Sequence, residues 1–226
     1  MSEPSFSPAL FDFIRDLSAN NDRDWFNANK KRYERDLKDP ALRFISDVGP
    51  GLRAISPHIQ AIPKAVGGSL FRIYRDVRFS KDKRPYKTHV GIHFRHSSGK
   101  DAHAPGFYLH LEPGRVFIGA GIWHPENKVL KQIRTAIAEE PAPWLEAKAA
   151  LDPTFHLAGD SLKTSPRGFD ADHPQIEDLR RKDFMAMTEL AEGAAFEADF
   201  RDAFLGHCRG VAPLAAYLCR VLDAPF

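Results

Sequence analysis

The sequence predicts a single α+β domain, an antiparallel sheet packed by helices from both ends of the chain. Three observations lead there. The apolar spacing is helical in residues 1–66, switches to strict alternation between 67 and 124, and returns to helical spacing from 125 onward. Three alternating runs follow one another closely in the middle third. A Pro113-Gly114 pair sits between two of them and reads as a two-residue turn.

Each element has a local reason. Ser7 precedes Pro8, an N-cap followed by proline at the first helical position, and Leu10, Phe13, Ile14 and Leu17 form the buried stripe. Phe6 and Phe11 are spaced for a hydrophobic staple. A second helix is expected from Asn21 as N-cap, with Trp25, Asn29, Tyr33 and Leu37 on one face. A third starts at Asp39-Pro40 and is expected to fade near Gly49-Pro50. In the middle third, Thr88, Val90, Ile92 and Phe94 alternate with His89, Gly91 and His93. Phe107, Leu109 and Leu111 alternate with Tyr108, His110 and Glu112. Val116, Ile118, Ala120 and Ile122 alternate with Phe117, Gly119, Gly121 and Trp123. The turn pairs Leu111 with Val116, Leu109 with Ile118, and Phe107 with Ala120. It also pairs Glu112 with Arg115, His110 with Phe117, and Tyr108 with Gly119, so parity agrees on both faces.

The last third carries Val129, Leu130, Ile133 and Ile137 on one helix side, then a break at Pro141 and Pro143. "SPRGFDADHP" reads as loop, and Asp172, His173 and Pro174 are placed to cap the next helix. Asp183 to Leu190 reads as one more strand. Phe196, Phe200, Phe204 and Cys208 line up at helical spacing, and Pro213 is expected to open a final helix.

Composition narrows the function. The 226 residues carry a net charge of only +2, too little to mark a general nucleic-acid binder. The two cysteines, Cys208 and Cys219, lie too far apart on one helix to bridge, and predict free thiols in a reducing compartment. No apolar run reaches membrane-span length, and "MSEPSFSPAL" has no signal-peptide pattern, so a cytoplasmic protein away from membranes is expected.

The charge is concentrated instead. "FRIYRDVRFSKDKRPYKTH", residues 71–89, holds seven Lys and Arg against Asp76 and Asp82. Read as a strand, Phe71, Ile73, Val77 and Phe79 share the core face, which leaves Arg75 among apolar residues. A guanidinium there needs a fixed partner or a bulge that turns it outward. The cations serve either to staple a solvated loop, to surround an anion, or to meet a partner surface. The sheet's second face adds His89, His93, Tyr108, His110, Glu112 and Trp123, with Gly119 and Gly121 leaving room, which suggests a concave site. Candidate ligand-gripping residues are Arg72, Arg75, Arg78, Lys83, Tyr86, Lys87 and His93. Tyr108, His110 and Glu112 are the candidates for chemistry. His93, His110 and Glu112 have metal-ligand chemistry, but two-residue spacing on a strand is what any polar face gives, so no metal is assigned. There is no glycine-rich phosphate loop and no Gly-x-Ser-x-Gly elbow. The expected ligand is an anionic small molecule bearing phosphate or carboxylate. The alternative is a non-catalytic nucleic-acid or protein-binding module using the basic loop. Cofactor, oligomeric state and reaction are not indicated.

"NNDRDWFNANKKRYE", "FRIYRDVRFSKDKRPYKTH", "PGFYLHLEPG" with "GAGIW", and "PRGFDADHP" followed by "LRRKDF" together resemble an uncharacterised bacterial and fungal family, domain of unknown function 2461. The resemblance runs along nearly the whole chain in the same order. It implies a single-domain protein and no particular activity. Arg84 stands where the family pattern has Thr.

Overall fold

In the computed structural model, which describes residues 3–99 and 104–226, the sheet comprises β1 (Val90–Arg95), β2 (Gly106–Glu112), β3 (Arg115–Ile122), β4 (His156–Ala158) and β5 (Phe184–Leu190). All pairings are antiparallel, in the order β1-β2-β3-β5-β4. The hairpin register is the one the Pro113-Gly114 turn dictates, from Glu112 opposite Arg115 to Phe107 opposite Ala120. Gly114 takes φ +76 at no steric cost, and its N–H donates to Glu192 Oε2 at 3.0 Å.

Alternation then sorts the side chains. Val90, Ile92, Phe94, Phe107, Leu109, Leu111, Val116, Ile118 and Ile122 are buried on one face. α8 (Phe200–Val221) packs against that face, with α4 (Asp39–Ile55) and α6 (Pro141–Ala149) beside it. Aromatic rings make the seam: Phe204 meets Phe44 and Phe94, and Phe200 meets Phe6 and Phe44. Helices from both ends of the chain therefore share one core with the sheet, an α+β domain.

Several element boundaries differ from the sequence expectation. α1 (Pro8–Ala19) follows Ser7 as expected. The cap of α2 (Arg23–Ala28) is Asp22, whose carboxylate accepts the Trp25 N–H; Asn21 bonds the backbone of Tyr86 instead. After α3 (Lys30–Tyr33), a π-helical turn (Glu34–Lys38) leads into α4. α4 does not fade at Gly49-Pro50 but continues to Ile55, because its buried stripe of Phe44, Ile45, Val48 and Leu52 runs past the proline. Pro213 likewise lies inside α8 rather than opening it, between the buried Val211 and Leu214. In both helices, tertiary packing outweighs the missing N–H. After α5 (Asn127–Glu139), Pro141 starts α6 instead of a loop, occupying the first turn where proline is tolerated. The short β4 had no sequence signal.

α6 is locked to α7 (Ile176–Leu179) through a buried carboxylate. Asp178 accepts the Trp144 indole N–H at 2.7 Å, Lys148 Nζ at 2.6 Å and Arg181 Nε at 3.3 Å. Removing it strands three donors, one of them an ammonium. Asp178→Ala is expected to cost about 3 kcal/mol in urea denaturation. A loss below about 1 kcal/mol would mean that water replaces the carboxylate.

Candidate functional site

The basic stretch is a ribbon, not a long strand. Ser69 to Phe71 adds to the free edge of β1: His93 N–H donates to Ser69 O and Phe71 N–H to Gly91 O. The chain then turns away. Residues 73–75 pair with 85–87, through Arg75 N–H to Pro85 O, Lys87 N–H to Ile73 O and the Tyr74–Tyr86 bridge. Asn21 braces this ribbon by bonding both backbone groups of Tyr86 at 3.0 Å, as a neighbouring strand would. Tyr86 is buried with its ring stacked on Phe26 at 4.1 Å, so it belongs to the core rather than to a ligand surface.

Two Asp-x-Arg units close the ribbon at 76–84. Asp76 accepts the Arg78 backbone N–H and pairs with its guanidinium. Asp82 does the same with Arg84. Such local bonds compete with a strand ladder and fold the chain into turns. Asp82 also holds Arg75 at 2.7 Å, and Arg75 donates to Arg84 O. Arg75 is thus partnered but 27 % exposed, not enclosed among apolar residues. Lys83 Nζ donates to Val77 O. Phe79, expected on the core face, is 93 % exposed. These hydrogen bonds hold Asp82 below the usual carboxylate range and lower Asp76 to about 2, its Arg78 side-chain bond being the main cause. Arg75, Arg78, Lys83 and Arg84 therefore staple the loop.

Arg72 and Lys87 are differently placed. Among the described residues neither has an ion pair. Lys87 is half-buried, its ammonium 5.2 Å from the Phe71 ring centroid. Burial, with Arg72 nearby, lowers its pKa. Phe71 lies over the second face of the sheet, 6.0 Å from the Tyr108 ring and 6.1 Å from His93. Gly91 makes room: a Cβ there would meet the Tyr108 hydroxyl. Phe71 therefore covers this part of the face. A cleft of about 700 Å³ lies elsewhere, lined by Lys131, Arg167, Phe169 and His173. There His173 Nδ1 accepts the Gln175 N–H, and Gln175 itself is the N-cap of α7, without a side-chain capping bond, so the cap expected of Asp172, His173 and Pro174 is not formed.

Under the roof, β2 presents a hydrogen-bonded chain. Tyr108 Oη lies 3.2 Å from His110 Nδ1, and His110 Nε2 lies 3.2 Å from Glu112 Oε2. His110 is 7 % exposed, sandwiched between Phe117 at 4.6 Å and His89 at 4.7 Å. Arg115 caps the stack over Phe117. Burial lowers both imidazoles to about 4, with His110 a second cause for His89. His110 is thus neutral at pH 7. Its Nε2–H donates to the carboxylate and its Nδ1 accepts from the tyrosine. Burial pushes the Tyr108 hydroxyl well above 10, keeping it a donor. Tyr108, His110 and Glu112 thus form one continuous hydrogen-bonded chain.

The structure thus sets Lys87 and His93 with Tyr108 around Phe71, and His110 and Glu112 beyond Tyr108, while Arg72 is exposed with Lys87 and Asp76 as its charged neighbours. It sets Arg75, Arg78 and Lys83 in the loop and Tyr86 in the core. Reasoning from residues placed His89 on this face and Arg115 opposite Glu112, but named neither as a site residue and missed Phe71 as the cover. The hairpin register already placed Arg115 and Phe117 opposite Glu112 and His110, and was the available signal. A second histidine cluster, His124 with Asp183, joins residues 59 apart in sequence and had no local signature. There, burial pushes the Asp183 carboxyl up, but hydrogen bonds from Asp160 and His124 prevail and hold it below its ordinary range. No group of residues that would hold a metal ion occurs among the described residues.

Depressed imidazole pKa values mean that the unfolded chain binds protons first on acidification. Stability is therefore complete above the ordinary histidine value of 6.5 and falls as pH drops toward about 4. Denaturation at a series of pH values should show a loss on the order of 2 kcal/mol per imidazole, flattened in His110→Gln. Arg75→Ala should lower the melting temperature by about 2–4 °C, whereas Arg78→Ala should leave it unchanged. Equal effects would show that Asp82 does not anchor the loop through Arg75.

Comparison with known proteins assigns most of the chain to one family. No curated protein matches the chain. A family model described as Conserved hypothetical protein (DUF2461) matches residues 9–217. That span takes in α1, the basic ribbon, the whole sheet and most of α8, so the chain belongs to the DUF2461 family.

Proposed function

We propose that this protein binds an anionic small molecule, bearing a phosphate or carboxylate, at the edge of the roofed face. The observation that carries this reading is Lys87. It is a half-buried ammonium with no carboxylate partner among the described residues, lying over an aromatic ring and next to Arg72. Partial desolvation of an unpaired cation costs free energy that an anion would return. Lys87 supplies a point charge and Arg72 a planar fork. The Tyr108–His110–Glu112 chain supplies a path for a proton to or from the bound molecule, which makes turnover an extension of binding. The stapled loop supports the reading indirectly, since its cations are spent on Asp76 and Asp82.

One observation favours a second reading, a nucleic-acid or protein-binding module. Phe79 stands exposed at the ribbon tip with Arg78 over its ring.

Titration calorimetry with inorganic phosphate and a panel of small carboxylates at low and moderate salt separates the two. Binding that persists in moderate salt and weakens about tenfold or more in Lys87→Ala, but not in Lys81→Ala, is the expected result. Equal binding by wild type and Lys87→Ala rejects the site. Oligonucleotide binding that collapses with salt and needs Phe79 would install the second reading.

A further inference from the structure

His124 follows β3 at the opposite end of the hairpin from the Glu112–Arg115 pair, so its surroundings are independent of the anion site. They are built around a buried carboxylate. Asp183 is 1 % exposed. Its Oδ1 accepts the backbone N–H of His124 at 2.7 Å and faces His124 Nδ1 at 2.8 Å. Its Oδ2 accepts the Asp160 N–H at 2.9 Å. A carboxylate takes hydrogens and gives none, so Nδ1 carries the ring proton. Nε2 is left with a lone pair on a side chain that is half exposed. The ring stacks on Trp123 at 4.1 Å, and Trp123 is 55 % exposed.

The backbone is informative too. His124 sits at φ +49, a conformation that costs a residue with a Cβ and that glycine or asparagine takes more readily. A clamp between β3 and β5 needs only the His124 backbone N–H. The imidazole adds something a clamp does not require: a ring whose tautomer is set by a buried acid, on a side chain that is half exposed. That is the arrangement by which a carboxylate prepares a histidine to take a proton and stabilises the resulting imidazolium.

We propose that His124 is a general base and Asp183 its positioning residue. Nε2 accepts the proton of a water molecule or substrate hydroxyl seated beside Trp123, and the oxygen attacks an electrophilic carbon. The O–H bond breaks, the new O–C bond forms, and the imidazolium keeps its Nδ1 hydrogen on Asp183. The bond from that carbon to the leaving group then breaks, the leaving group keeps the electron pair, and Nε2 returns its proton to it.

p-Nitrophenyl acetate tests this, because a presented imidazole accelerates its hydrolysis, and a solvent deuterium isotope effect on the rate separates a general base from direct attack by the ring. Nitrophenolate release should exceed that of equimolar free imidazole by roughly tenfold or more, a modest fraction of what a positioned base supplies. The excess should vanish in His124→Asn, which suits φ +49, and persist in His156→Asn, which removes another exposed histidine of the sheet. Asp183→Asn, if it folds, should lose most of it. A wild-type rate no higher than imidazole, or an excess retained in His124→Asn, overturns the proposal. So does an Nε2–H tautomer of His124 in the nitrogen NMR spectrum of the wild-type protein.

Discussion

The register of the β2–β3 hairpin is the constraint on which the rest of the molecule depends. A two-residue turn leaves no slack, and the period of a strand is two. A slip of one residue would carry Tyr108 and His110 into the core and Leu109 and Leu111 out of it. The turn is held from outside as well: Gly114 bonds to Glu192, which also binds Arg15 of α1. With the register set, α8 finds one uninterrupted apolar face, and every titratable side chain of β2 falls on the other.

That second face illustrates how burial decides the chemistry of identical side chains. His110 lies between two rings and beside a carboxylate, and desolvation keeps it neutral. It behaves as a hydrogen-bond relay, not a charge. His124, just past β3, keeps one nitrogen on a buried acid and is half exposed. The positive charge near the relay therefore comes from Lys87 and Arg115, not from imidazolium.

The basic stretch resolves into two populations by the same logic. Two aspartates, each two residues before an arginine, neutralise Arg78, Arg84 and Arg75 and shape the loop. Lys87 lies beyond their reach, on the strand that Asn21 and Phe26 press against the domain. The concentration of charge was visible in the sequence, but its division between staple and site was not. It depends on which aspartate oxygen faces which guanidinium, and short-range geometry of that kind has no linear signature.

What the sequence by itself determined is the sheet core, its parity and the helices at both ends. Period-two and period-3.6 patterns are local, and the Pro113-Gly114 turn converts one into a register. It also determined which titratable side chains share the second face. Tertiary structure alone decided that α4 and α8 run through their prolines, because the apolar surface they bury outweighs one missing hydrogen bond. It alone roofed the polar face with Phe71, drew Tyr86 into the core, and brought His124 to Asp183. Each of these joins segments far apart along the chain, and only packing, which acts through space, can choose among such partners.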